Sequence, residues 1–132
     1  MTEEPPMVVL DSPLEDSATA REAAADYVAR HCPWADLDAV LLVVSELVAN
    51  AVRHTSGWWR LTLLAGREEL VVEIDDSSDQ PPVPREPVGG GGGFGWHMVQ
   101  RLAGRVEVRP LPEGKRVRAI WPRPAEAKAK AN

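Results

Sequence analysis

Apolar and polar positions alternate along the chain in runs of distinct period. Met7 to Leu10 is a short apolar stretch that suits a strand. From Ser17 or Thr19, either able to cap a helix, an alanine-rich run reaches about His31 with Arg21 and Glu22 in its early turns. Pro33 marks a break there, since the residue before a proline avoids the helical region. A second helix is predicted from about Asp36 to His54, a long segment free of Gly and Pro that ends at Thr55, Ser56 and Gly57. Arg60 to Ala65 and Leu70 to Ile74 read as strands joined by a turn around Gly66, hence a hairpin. Residues 79–95, with Pro81, Pro82, Pro84, Pro87 and the run Gly89 to Gly93, form a mobile loop. Trp96 to Ala103 has helical spacing through Met98, Val99 and Leu102, and Gly104 stands just past its end. Arg105 to Arg109 and Arg116 to Trp121 alternate as two half-buried strands joined through Pro112 and Gly114.

Helices interspersed with paired strands predict a two-layer α/β sandwich, with the helices on one face of a mixed sheet. The expected organisation is an N-terminal segment at 1–14 with a short strand, one domain at 15–121, and a disordered Ala, Lys and Pro tail at 122–132. At 132 residues the chain is one domain by size, and 44% hydrophobic with 27% charged residues suits a globular protein. A net charge of −5 supplies no basic field for a nucleic acid backbone, so direct DNA or RNA binding is not expected. Cys32, the single cysteine, cannot form an internal disulfide. With no apolar stretch near the roughly 20 residues of a membrane span and no secretory pattern at the N-terminus, the expected location is cytoplasmic.

From Leu41 to Val52 only Ser45, Glu46 and Asn50 are not apolar, and a helix apolar nearly all round is expected to be buried. Glu46 and Asn50 are four apart and share a face, which His54 continues. One reading makes them a polar stripe at the rim of a core. The other aims an amide and a carboxylate into a ligand pocket, where an amide oxygen suits Mg²⁺ and a carboxylate takes a proton. Asp75 and Asp76 end an apolar strand and are followed by Ser77, Ser78 and Asp79, which is either an acidic turn or a set of ligand groups at a strand end. Gly91-Gly92-Gly93-Phe94-Gly95-Trp96 leads a glycine-rich loop into a helix, where backbone N–H groups suit phosphate. It matches neither a Walker sequence nor a dinucleotide fingerprint.

In this order, the three features carry a family resemblance. Ser45-Glu46-Leu47-Val48-Ala49-Asn50-Ala51-Val52-Arg53-His54 resembles the N box of the ATPase superfamily shared by gyrase, heat-shock chaperones, histidine kinases and MutL proteins. The small bacterial anti-sigma-factor serine kinases are the members it resembles most. Val72-Glu73-Ile74-Asp75-Asp76-Ser77-Ser78 resembles their form of the first glycine box, which puts adenine reading on Asp76 rather than Asp75; as a ligand group at that strand end, Ser78 could hold a bridging water. Gly93-Phe94-Gly95-Trp96-His97-Met98-Val99, followed by Leu102-Ala103, resembles the second glycine box, which implies phosphate contacts from Gly93 and Gly95. Gly114-Lys115 is similar to the closing motif. The resemblance covers roughly residues 15–121.

It implies a Bergerat-type ATP fold with ATP and Mg²⁺ as cofactors. Asn50 would hold the metal, Glu46 would act as general base toward a serine hydroxyl of a partner, and Arg53 and His54 would lie on the cofactor side. His54 is read as a helix-end contact rather than a base, and His97 as facing solvent or substrate rather than a metal. The implied partners are a sigma factor, an antagonist protein, or both, with a homodimer carried by the resemblance alone. Arg116 stands where the family often has threonine, which puts a nucleotide-contacting hydroxyl in question, and the connection between the glycine boxes leaves little room for a long lid. No helical hairpin with a phosphoacceptor histidine precedes the domain, so a complete sensor histidine kinase is not expected. The alternatives to the kinase are a nucleotide-binding module that shapes a partner surface without chemistry, and an interaction domain without nucleotide. Trp58 and Trp59 are adjacent, so in a strand one of them would lie outside the core.

Overall fold

The computed structural model describes residues 7–11, 17–54, 58–78 and 94–125. Helix α1 spans Ser17–His31 and buries Ala20, Ala24, Tyr27 and Val28, the positions that fall on one side of a helix of 3.6 residues per turn. Arg30 and His31 occupy its last turn, where positive charge complements the exposed carbonyls. A tight turn follows, with the Ala35 N–H donating to the Cys32 carbonyl at 2.9 Å. Asp36 then caps the next helix, its carboxylate accepting from the Ala39 N–H at 3.2 Å.

That helix, α2, spans Leu37–His54 and buries Val40, Val43, Val44, Leu47, Val48 and Ala51. It is not buried all round, as its apolar sequence led us to expect. Leu42 is 46% and Val52 58% exposed, because α2 packs against α1, the sheet and a third helix and keeps an outer side.

Five strands follow the expected order: β1 Met7–Asp11, β2 Trp59–Ala65, β3 Glu69–Asp76, β4 Arg105–Leu111 and β5 Gly114–Pro122. Helix α3, Phe94–Leu102, lies between β3 and β4 in sequence. The sheet order is β1-β2-β3-β5-β4 and every neighbouring pair is antiparallel. The sheet is therefore not mixed. β3 and β4 do run in the same direction, but β5 turns back from β4 and fills the place between them, so the parallel pair never forms.

Leu61 and Leu63 of β2, Leu70, Val72 and Ile74 of β3, and Val117, Ala119 and Trp121 of β5 join the helices in one core. Glu73, Asp75, Arg116 and Arg118 alternate with them and form ion pairs on the opposite face. The helices therefore cover one face, as the sequence implies. The Ala65 N–H donates to the Tyr27 hydroxyl at 2.7 Å, tying α1 to the end of β2, and the Trp121 indole N–H donates to the Leu102 carbonyl at 2.9 Å, tying α3 to β5. Burial of the phenol raises the pKa of Tyr27, and the hydrogen bond from Ala65 offsets that rise only in part.

Several element edges differ by one or more residues, three of them for a visible reason. β3 runs on through Asp75 and Asp76 because both pair across to β2 and β5. α3 begins at Phe94, inside the segment expected to be loop. Pro122 is the last residue of β5 and the Arg123 N–H donates to the Glu68 carbonyl at 2.8 Å, so the expected tail starts later than 122. The first six residues of the expected N-terminal segment, the loop over 79–93 and the tail over 126–132 lie outside the described residues. Among the described residues no helix is long and apolar enough to cross a membrane.

Candidate functional site

The alternation of β3 decides which of the two adjacent aspartates faces the helices. Leu70, Val72 and Ile74 point into the core, and Asp76 continues that row at 2% exposure. Asp75 lies on the other face, where the Arg116 guanidinium donates to both its oxygens at 2.8 and 2.9 Å and also reaches Glu73 at 3.1 Å. The fork geometry, led by the hydrogen bond to Asp75, raises the Arg116 pKa and holds it cationic. Arg118 extends the ladder, 3.6 Å from Glu73 and 3.4 Å from Glu107. Arg116 thus belongs to an outer charge ladder, and its place in the closing motif does not put it on the side of Asp76.

The residue on that side is Lys115, directly opposite Asp76 in the β3–β5 register and 4% exposed. Its ammonium lies 3.1 Å from Asp76 Oδ1 and 3.1 Å from Oδ2. The Ser78 N–H donates to Oδ1 at 2.9 Å, so the chain folds back on the carboxylate just after the strand. The Ser77 N–H meanwhile donates to the Trp58 carbonyl at 3.1 Å, which fixes this turn to the start of β2. Sequence reasoning took Lys115 only as part of a motif and missed it as the partner of Asp76. The signal was present: counting by twos back from Trp121, Ala119 and Val117 puts Lys115 in the core-facing row of β5.

Gly114 makes this approach possible. A Cβ there would overlap the Asp76 carbonyl oxygen and stand 2.8 Å from the Asp76 carbonyl carbon. Only a residue without a side chain lets β5 start this close to the end of β3.

On α2, which packs on β2 and β3, Glu46 and Asn50 are both half-buried. The Ser45 hydroxyl turns back onto the Leu41 carbonyl at 2.9 Å, leaving Glu46 and Asn50 as the outward polar groups of the stripe. Among the described residues the Glu46 carboxylate has no hydrogen-bond or ion-pair partner. Asn50 Oδ1 accepts from Arg53 at 3.1 Å, and Arg53 itself is exposed. His54 is the last residue of the helix.

Gly95 falls in the first turn of α3, and Gly93 lies outside the described residues. Trp96 and Val99 anchor α3 in the core, while His97 is exposed, as expected of a residue that faces away from it. Trp59 is buried at 5% and Trp58, just before the strand, is 38% exposed, the split the sequence implies. Among the described residues no three His, Cys, Asp or Glu side chains are grouped to hold a metal ion. An open groove of about 330 Å³ between α1 and α2, lined by Arg21, Asp38, Leu41, Leu42 and Ser45, contains none of the expected site residues.

Comparison with known proteins bears on this arrangement. No curated protein sequence is significantly similar to this chain. Among solved structures, the RsbU and RsbW domains of Rv1364c from Mycobacterium tuberculosis match with a TM-score of 0.64 at 19% identity, over 91% of this chain and 34% of that one. This chain therefore spans about a third of that protein's length. The histidine kinase domain of the E. coli osmosensor EnvZ matches with a TM-score of 0.51 at 17% identity, over 95% of this chain and 92% of that one. At these identities the likeness is one of fold. The family model of the histidine kinase-like ATPase domain matches residues 10–121, and the chain accordingly belongs to that family.

Proposed function

We propose that the protein is an ATP-dependent regulator that acts as a serine/threonine kinase of the anti-sigma-factor type, phosphorylating an antagonist protein in the bacterial cytoplasm. The observation that carries this reading is the buried Asp76 carboxylate on the helix-facing side of the sheet, with Glu46 and Asn50 on the helix packed against that sheet. Asp76 accepts from the exocyclic amine of adenine, and Ser78 holds a bridging water beside it. The donor set fits: a carboxylate offers about four acceptor positions, and Asp76 uses Oδ1 for Ser78 and Lys115 but Oδ2 for Lys115 alone.

Asn50, whose side-chain oxygen now accepts from the exposed Arg53, would hold Mg²⁺, an ion that takes oxygen donors. Arg53 and His54 lie toward the cofactor, and Gly93 and Gly95 give backbone N–H groups to phosphate. Bound Mg-ATP supplies the transferable phosphoryl group. Glu46, half-buried and without a partner among the described residues, takes the proton from the partner's serine hydroxyl. A sigma factor and a second copy of the chain are the other partners this reading entails.

The test is labelling of a candidate antagonist by purified protein with Mg²⁺ and ATP, repeated with Glu46→Ala. Loss of transfer with retained ATP binding supports the kinase. ATP binding without labelling by the unaltered protein favours the second reading, a nucleotide-binding module without chemistry. The hold of Arg53 on Asn50 Oδ1, the proposed metal ligand, is the observation on that side.

A further inference from the structure

Lys115 is the feature of the site that core packing does not account for. Its neighbours in the core-facing row of β5 are Val117, Ala119 and Trp121, so an apolar residue at 115 would continue the pattern. Burying an ion pair in place of well-packed apolar side chains is on average neutral or unfavourable, so stability alone gives no reason for a lysine here.

The hydrogen-bond arithmetic points the same way. An ammonium carries three donors. Among the described residues, Lys115 directs them at the two oxygens of one carboxylate and at no other acceptor. At 4% exposure the remaining N–H has almost no water to turn to, and a buried donor left over is costly. The Asp76 carboxylate beside it retains acceptor capacity on Oδ2. The pair therefore presents a donor and an acceptor side by side. Its complement is a base edge with an acceptor and a donor side by side, and adenine has such an edge in its ring nitrogen N1 and exocyclic amine.

We infer that Lys115 is a specificity-determining residue that donates to N1 of the bound adenine while Asp76 accepts from the amine. This rests on the reading that Asp76 binds an adenine amine, and extends it from one contact to a two-point readout of the edge. The two points act together because Lys115 and Asp76 face each other across adjacent strands, with the close approach fixed by Gly114.

The experiment compares ATP with 1-deaza-ATP, in which N1 is replaced by C–H, by calorimetric titration of the full chain and of Lys115→Met. Removing the acceptor of a charged donor should weaken binding to the unaltered protein by at least about tenfold. In Lys115→Met the two nucleotides should bind alike. A smaller loss in the unaltered protein, with ATP itself bound, overturns the role of Lys115 and leaves the Asp76 reading standing. Failure of the unaltered protein to bind ATP overturns both. The comparison within the unaltered protein decides the question even if Lys115→Met does not fold.

Discussion

Replacing Asp76 with Asn removes a charge from a place where its counter-charge cannot escape. Lys115 is 4% exposed and hydrogen-bonded to this carboxylate alone among the described residues, so Asp76→Asn strands a buried ammonium. The amide oxygen still accepts from the Ser78 N–H, so the loss is that of the ion pair rather than of the turn. Breaking one side of a buried pair costs about 3–5 kcal/mol, a large part of the roughly 5–15 kcal/mol that holds a domain together. At this chain length that is a fall in Tm on the order of 10–20 °C. Urea unfolding followed by circular dichroism reads it directly as a shift in midpoint at constant slope. The double variant Asp76→Asn with Lys115→Met removes both charges and should recover most of the loss, giving a coupling energy of about 2 kcal/mol or more. An Asp76→Asn variant less than about 1 kcal/mol below the unaltered protein, or a double variant no more stable than the single one, would refute the reasoning. Nucleotide titrations of Asp76→Asn need to be made well below its lowered melting point, since a partly unfolded sample would mimic a lost adenine contact.

Arg116→Thr should leave ATP affinity within about twofold and stability within about 1 kcal/mol, because the side chain sits in the outer, partly exposed ladder with Asp75 and Glu73; a larger change in affinity by calorimetry counts against that placement. Gly114→Ala drives a methyl group into the Asp76 backbone and should cost about 2 kcal/mol or more by urea unfolding, whereas a near-neutral result would mean that β5 can begin farther from β3 than observed. Burial raises the Cys32 thiol from its ordinary value of 9.0 to about 11, so the native state holds the proton after the unfolded chain has lost it. The sign follows: stability is full below pH 9 and falls as pH rises toward 11, by roughly 1.4 kcal/mol per unit at most. Cys32→Ala should flatten the decline in urea midpoint between those values, and an unchanged slope would exclude the thiol as its source.

The sequence made the helices and hairpins legible because their periodicities are long and clean. The 18 residues of α2 and the run Leu70 to Ile74 admit few other readings. It was less informative wherever long-range pairing decides. Asp75 and Asp76 lack strand propensity and enter β3 only because strands on both sides pair with them. Likewise, nothing local says that β5 inserts between β3 and β4, which is what turns an expected mixed sheet into an antiparallel one. The outward side of α2 escaped notice because Leu42 and Val52 are as apolar as the positions they alternate with. At the site, the motifs marked Glu46, Asn50 and Asp76, but the charge opposite Asp76 belongs to a strand 39 residues away and becomes visible only through register.

The strand order also has a consequence for how the chain reaches this structure. β2 with β3 and β4 with β5 are hairpins between neighbours in sequence, which close quickly. β3 and β5 meet across 39 residues at Asp76 and Lys115, and closing so long a segment carries an entropic cost that the local hairpins avoid. The seam between these two halves runs through the proposed base site, so the carboxylate and ammonium come together only once the halves have docked. A ligand that bridges the seam favours the joined state over any with separate halves, and unfolding should slow as its concentration rises.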